Sequence, residues 1–196
     1  MHHDRQLILG LWLAWVFYWV VAAFGAKTTR WRESLASRLS HVLPLALGVA
    51  LIAWPRLHVG WLPRAPLPHG PVRSGTALVL VAAGLAFTVW ARMHLGGNWS
   101  GSVTEKEGHE LVRSGPYALV RHPIYTGLLV ALLGSAVACG ELRAVLGLGV
   151  VAAAFTRKLR IEERFMRERF PEEYPRYCAQ VPALIPFRGF RRSAPR

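Results

Sequence analysis

Leu7-Ile8-Leu9-Gly10-Leu11-Trp12-Leu13-Ala14-Trp15-Val16-Phe17-Tyr18-Trp19-Val20-Val21-Ala22-Ala23-Phe24-Gly25-Ala26 opens the chain with an apolar block long enough to cross a bilayer at helical rise. Its closing Ala22-Ala23-Phe24-Gly25-Ala26 faintly resembles a signal-peptidase site, but the length and bulky aromatics of the block predict a retained helix. Further apolar blocks follow at Leu39–Trp54, Gly75–Met93, Ile124–Cys139 and Leu142–Phe155, separated by arginine-rich or Pro/Gly-rich connections. A chain of 196 residues that is 53% hydrophobic, with its apolar residues gathered this way, takes lipid as its solvent. The expectation is an all-α polytopic bundle of about five transmembrane helices. Three N-terminal spans occupy residues 1–93, and residues 94–196 form a functional region of loop, helical hairpin and tail.

The connections refine this expectation. Residues 55–74 hold Pro55, Gly60, Pro63, Pro66, Pro68, Gly70 and Pro71 and are read as a loop. The second block is short and carries Pro44, so a helix tilted little, kinked, or extended at its polar end is expected. Gly140-Glu141 is so short a connection that the last two spans must form a tight helical hairpin. The final helix then runs on without a breaker through Arg157 to Phe170, where Pro171 stops it.

The charge is strongly basic, 24 Lys+Arg against 11 Asp+Glu. Because the arginines lie between and after apolar segments, they point to cytoplasmic flanks and anionic headgroups rather than to nucleic acid. The densest basic cluster begins at Arg157, so the C-terminus is expected in the cytoplasm. That places the 26–40 connection and the 94–122 loop on the same side and the amino terminus outside. Length and simplicity suggest a bacterial inner (cell) membrane. Cys139 and Cys178 lack redox or ligand spacing, and the scattered histidines form no metal-binding pattern, so neither disulfide nor metal is expected.

Two stretches carry chemistry. The first is Leu111-Val112-Arg113-Ser114-Gly115-Pro116-Tyr117-Ala118-Leu119-Val120-Arg121-His122-Pro123-Ile124-Tyr125-Thr126-Gly127. Pro123 suits the first turn of a membrane helix, which fixes Arg121 and His122 at the membrane–water boundary. The free N–H groups there favour an anion, and the Arg121 fork suits a carboxylate. His122 and Tyr125 lie one turn apart, near one pocket. A plain interfacial turn, with Arg121 reaching lipid phosphate and Tyr125 in an aromatic belt, is the competing reading. The second stretch is Arg160-Ile161-Glu162-Glu163-Arg164-Phe165-Met166. Adjacent carboxylates beside a basic membrane face suit an ammonium or ribose hydroxyls; pairing within the helix, Glu162 with Lys158 and Glu163 with Arg167, is the alternative.

Together with the closing Phe170, Tyr174, Tyr177, Val181, Pro182, Ile185 and Pro186, and with Leu95-Gly96-Gly97-Asn98-Trp99-Ser100 upstream, these stretches resemble the isoprenylcysteine carboxyl methyltransferase and phospholipid methyltransferase family. The resemblance covers roughly residues 94–187. It departs at Met166, where the family has Leu, and at Phe170-Pro171, where Phe-Gly is common; the family's eukaryotic enzymes also carry additional spans. It implies an S-adenosylmethionine site with His122 and Tyr125 lining the pocket, Leu111, Val112 and Tyr117 nearby, and Glu162 and Glu163 holding polar groups. Arg121 is the catalytic candidate, orienting a lipid-borne carboxylate. The implied activity is methyl transfer to a membrane-associated or apolar acceptor, whether carboxylate, thiol or lipid headgroup, with membrane lipids as the other partner. An NADPH-dependent reductase of the sterol-reductase type and a non-catalytic membrane protein are the alternatives. The first-block aromatics either line the acceptor's path or contact lipid.

Overall fold

The computed structural model describes residues 2–24, 34–54, 68–96 and 111–186. The Gly97–Ser100 part of the upstream motif, most of the Pro-rich loop and of the 26–40 connection, and the centre of the 94–122 loop lie outside the described residues. Seven helices are present among those described: α1 His2–Ala23, α2 Leu35–Ala53, α3 Pro71–Leu95, α4 Pro116–Leu119, α5 Pro123–Cys139, α6 Leu142–Arg169 and α7 Glu173–Gln180.

α1, α2 and α3 are long and apolar enough to cross a membrane, and α5 is a shorter apolar helix of 17 residues. At 1.5 Å per residue α5 spans about 26 Å, near the lower limit for a hydrocarbon core. α6 has 28 residues, about 42 Å, and turns from an apolar first half, Leu142–Phe155, to a charged second half. The protein is a multi-pass membrane helix bundle.

Local chemistry sets the helix ends. α2 begins four residues before its apolar block because the Ser34 hydroxyl accepts from the Ser37 N–H at 3.3 Å. Pro44 is accommodated inside that helix. α3 also starts early, with Pro71 in the first turn, where its missing N–H costs nothing. Gly140 ends α5 in the left-handed conformation at φ 67°, and Glu141 opens α6, giving the expected tight hairpin.

Arginines meet the carbonyls exposed at helix C-termini. Arg73 donates to the Val137 and Ala138 carbonyls at the end of α5, at 2.9 and 2.7 Å. The buried Arg143 donates to Leu51 and Trp54 at the end of α2, and Arg92 to Ala22 at the end of α1. Part of the basic excess is therefore helix capping, which satisfies orphan carbonyls where water is scarce and complements the helix dipole.

These contacts also fix direction. α1 and α3 run in parallel, since Ser74 donates to Asp4 near their starts and Arg92 reaches Ala22 near their ends. α2 and α5 run the opposite way, α2 against α6 and α5 against α3. The start of α5, the end of α6 and α7 thereby share one face of the bundle.

Small residues let the spans approach. A Cβ on Gly127 would lie 2.6 Å from the Gly84 carbonyl oxygen and from Thr88, and one on Gly147 would lie 2.6 Å from the Gly48 carbonyl oxygen. The α3–α5 and α2–α6 interfaces are thus backbone-to-backbone, as association in lipid favours. Gly127→Val, which forces α5 off α3, is expected to cost about 2–3 kcal/mol, on the scale of overpacked cores. Thermal unfolding in detergent checks this, against Gly149→Ala, whose Cβ would meet nothing within 4 Å.

Candidate functional site

Pro123 starts α5 and leaves the two residues before it outside the helix, with N–H groups that need acceptors. The tail after α7 supplies them. The Arg121 N–H donates to the Pro182 carbonyl at 2.9 Å and the His122 N–H to the Ala183 carbonyl at 3.0 Å. The Thr126 hydroxyl donates to the Leu184 carbonyl at 2.7 Å. The anion expected at these two amides is therefore replaced by the chain's own tail, because carbonyls in fixed register already satisfy the donors. This gives the closing Val-Pro-x-x-Ile-Pro pattern a physical role: it is a strap across the start of α5.

The Arg121 side chain is equally committed. Its Nε and Nη2 donate to Glu163 Oε1 at 3.0 and 2.5 Å, and its Nη1 donates to the Val181 carbonyl at 2.5 Å and toward Cys178 at 3.4 Å. Arg121 thus ties α6, α7 and the strap to α5, and the fork expected to meet a substrate carboxylate is filled by Glu163.

The twin acids diverge because adjacent helical residues point about 100° apart. Glu162 faces the cavity described below and accepts from the Tyr125 hydroxyl at 2.5 Å. Glu163 is buried against Arg121 and does not line that cavity. His122 lies between them, Nδ1 3.6 Å from Glu162 and Nε2 3.4 Å from Glu163. The pairs anticipated within the helix form too, Lys158 to Glu162 at 3.9 Å and Arg167 to Glu163 at 3.5 Å, so the two readings coexist.

Aromatic stacking continues the network inward. The His122 and Tyr125 rings stack at 5.6 Å and 6°, and Tyr125 stacks on Phe155 at 4.9 Å. Tyr177 donates to the Tyr117 carbonyl at 2.5 Å, holding α4 against α7.

Burial and pairing set the protonation states. Burial alone would raise the Glu163 carboxyl, but hydrogen bonds from His122 and Arg121 outweigh it and bring it down to about 2. Glu162 is lowered in the same sense, burial again being outweighed, by His122, Lys158 and Tyr125. Burial would lower His122, yet hydrogen bonds to both acids raise it above 6.5. A raised His stabilises fully below its unfolded value and loses that contribution as pH rises through the folded one; a lowered Glu does the reverse on acidification. The stability advantage of the wild type over His122→Gln is expected to be flat between about pH 4.5 and 6.5 and to shrink above and below. Thermal unfolding across pH reads this, and a gap that widens above pH 6.5 contradicts it.

A cavity of about 880 Å³ opens beside this network and runs into the bundle. Its polar end is lined by Leu111, Val112, Tyr117, Arg121, His122, Tyr125 and Glu162, and its apolar depth by residues of α1, α2 and α5, including Trp12, Trp15, Trp19, Leu45, Ile52 and Leu128. Of the eight site residues expected from sequence, seven line one void, and Glu163 braces it from behind. The first-block aromatics divide between roles, three tryptophans facing the cavity while Phe17 is 72% exposed. Trp12 and Trp15 are fixed by hydrogen bonds to Ser135 and Thr88, at 3.1 and 2.6 Å. Lys158, Phe155, Phe165 and Met166 also line the cavity. They were legible only as residues one or two helical turns from Glu162.

Residues 77–168 match the model of the isoprenylcysteine carboxyl methyltransferase (ICMT) family. Over 86 residues the chain is 33% identical to protein-S-isoprenylcysteine O-methyltransferase B of Arabidopsis thaliana, covering 43% of this chain and 44% of that protein. Over 111 residues it is 33% identical to a probable protein-S-isoprenylcysteine O-methyltransferase of Oryza sativa subsp. indica, covering 56% and 53%. The chain spans about half the length of these curated relatives. Its fold is similar to the solved structure of the eukaryotic intramembrane Ras methyltransferase ICMT, with a TM-score of 0.53 and 23% identity over 78% of this chain and 51% of that one.

Proposed function

We propose, from the match of residues 77–168 to the model of the isoprenylcysteine carboxyl methyltransferase family, that this chain transfers the methyl group of S-adenosylmethionine to a lipid-linked acceptor at the cytoplasmic boundary of the membrane. The observation that carries the reading is one cavity with Glu162, His122 and Lys158 at one end, apolar residues of α1, α2 and α5 along its length, and Arg5 and Arg143 toward the other end of the bundle. A polar cofactor and an apolar acceptor reach a common point only through a void with both characters.

The residues at the polar end fit such a cofactor by chemistry. Glu162 offers a carboxylate to an ammonium or to ribose hydroxyls, and Leu111, Val112 and Tyr117 offer an apolar wall to a purine. Stacking against His122 and Phe155 holds the Tyr125 ring in place, with its hydroxyl directed to Glu162 at the polar end. When bound, the cofactor supplies an electrophilic methyl group on a sulfonium. The chain supplies position: Glu162 fixes the Tyr125 hydroxyl, Glu163 and Arg121 fix the strap, and the strap closes the start of α5. Holding two reactants in line removes most of the entropic barrier to a direct displacement. Among carboxylate, thiol and lipid headgroup, the relatives' names favour a carboxylate on a prenylated cysteine. A carboxylate acceptor needs no general base, in keeping with a site whose acids are held ionised by His122 and Arg121.

The test is transfer of labelled methyl from S-adenosylmethionine to an S-prenylated N-acetylcysteine by membranes containing the chain. The expected product is a base-labile methyl ester whose formation S-adenosylhomocysteine inhibits. No transfer to that acceptor or to membrane lipids, together with calorimetric binding of NADPH, would replace this reading with the reductase.

A further inference from the structure

The site needs a cation for the carboxylate that a methionine-derived cofactor carries, and Arg121 is committed elsewhere, to Glu163 and to the Val181 and Cys178 carbonyls. Lys158 lies one turn before Glu162 on α6 and lines the cavity. Its Nζ is 3.9 Å from Glu162 Oε1 and 5.6 Å from the centre of the Tyr125 ring. At that distance the contact with Glu162 is an ion pair without a hydrogen bond, and the same carboxylate oxygen already accepts from Tyr125. The ammonium is a compact charge on a flexible stem, able to turn its donors toward a ligand without disturbing the Arg121 cluster.

We propose that Lys158 is the anion-binding residue of the site, holding a carboxylate in the cavity while Glu162 beside it takes the ammonium of the same α-amino-acid group. This rests on the methyltransferase reading above. An acid and a base four residues apart on one helix face, both lining one void, complement a zwitterion, whose two charges are likewise a few ångströms apart. The geometry assigns the carboxylate first to the methionine end of the cofactor. The carboxylate of a prenylated cysteine is the other source of the same chemistry.

Calorimetry on the full chain in detergent separates the sources, with S-adenosylhomocysteine and 5′-methylthioadenosine as probes. The second keeps the thioether nucleoside and lacks the amino-acid end. Lys158→Gln is expected to weaken S-adenosylhomocysteine by roughly ten- to a hundredfold, as for a lost charged hydrogen bond, and to leave methylthioadenosine unchanged. Lys158→Arg should recover most of the loss. Unchanged affinity for both probes with a tenfold or greater rise in KM for S-prenylated N-acetylcysteine supports Lys158 as well, and moves the carboxylate to the acceptor. Equal losses for both probes, or no change in either affinity or KM, overturn the assignment. If the wild type itself binds no S-adenosylhomocysteine, the methyltransferase reading fails instead. Should Lys158→Gln not fold, Lys158→Arg and Lys158→Met are compared by the ratio of the two probe affinities.

Discussion

Glu163→Ala is expected to destabilise the protein by about 3 kcal/mol and to abolish binding at the site, because it strips the carboxylate from the largely buried Arg121 and His122 at once, besides the exposed Arg167. Glu163 accepts two bonds from Arg121 and lies 3.4 Å from His122. Removing one partner of a buried ion pair leaves an uncompensated charge, which costs far more than the pair itself contributes. Arg121→Ala should destabilise by a similar amount and also loosen the junction of α7 and the strap, since Nη1 no longer holds the Val181 carbonyl, while the backbone bonds to Pro182 and Ala183 remain. The double variant is expected to be less destabilised than the sum of the two, with a coupling of about 2 kcal/mol or more. Denaturation of all four proteins in one detergent provides the cycle, and additive losses would show that the pair does not brace the site. Glu163→Gln, which keeps shape and hydrogen-bonding capacity, should lose less.

Glu162→Gln should leave folding nearly intact and weaken S-adenosylhomocysteine at least tenfold, the reverse balance from Glu163→Ala. Glu162 faces the cavity and holds the Tyr125 hydroxyl. Its charge borders the cavity beside Lys158 and His122, whereas the charge of Glu163 is turned away from the cavity, against Arg121. An amide can still accept from Tyr125, so the loss should register in ligand affinity. Equal effects of the two substitutions on binding and stability would mean that the acids do not divide their roles.

That division was not legible in the chain, though the adjacency of Glu162 and Glu163 was. Sequence reports that two carboxylates are neighbours on a helix; only the placement of α5 and the strap decides which one meets Arg121. The five apolar blocks, the Gly140 hairpin and the convergence of 111–125 with 158–166 could be read from hydropathy, breakers and motif. The role of the strap could not, because it is carried by backbone carbonyls of Pro182, Ala183 and Leu184, whose side chains say nothing of their partners. From sequence, Arg121 faces an anionic ligand, because the helix start favours negative charge and the guanidinium fork suits a carboxylate. In the structure the nearest anion is internal. Likewise, the arginines at 73, 92 and 143 look like membrane flanks and prove to be helix caps, a use that depends on which helix end lies alongside.

The central claim is that the start of α5 and the far half of α6 enclose one S-adenosylmethionine. Photolabelling with an azido-adenine analogue of that cofactor, mapped by mass spectrometry of the intact membrane protein, tests it most directly. Label competed by S-adenosylhomocysteine should fall on residues 111–125 and 155–166 together. Label confined to the outer, arginine-rich side of α6, or indifferent to the competitor, would contradict it.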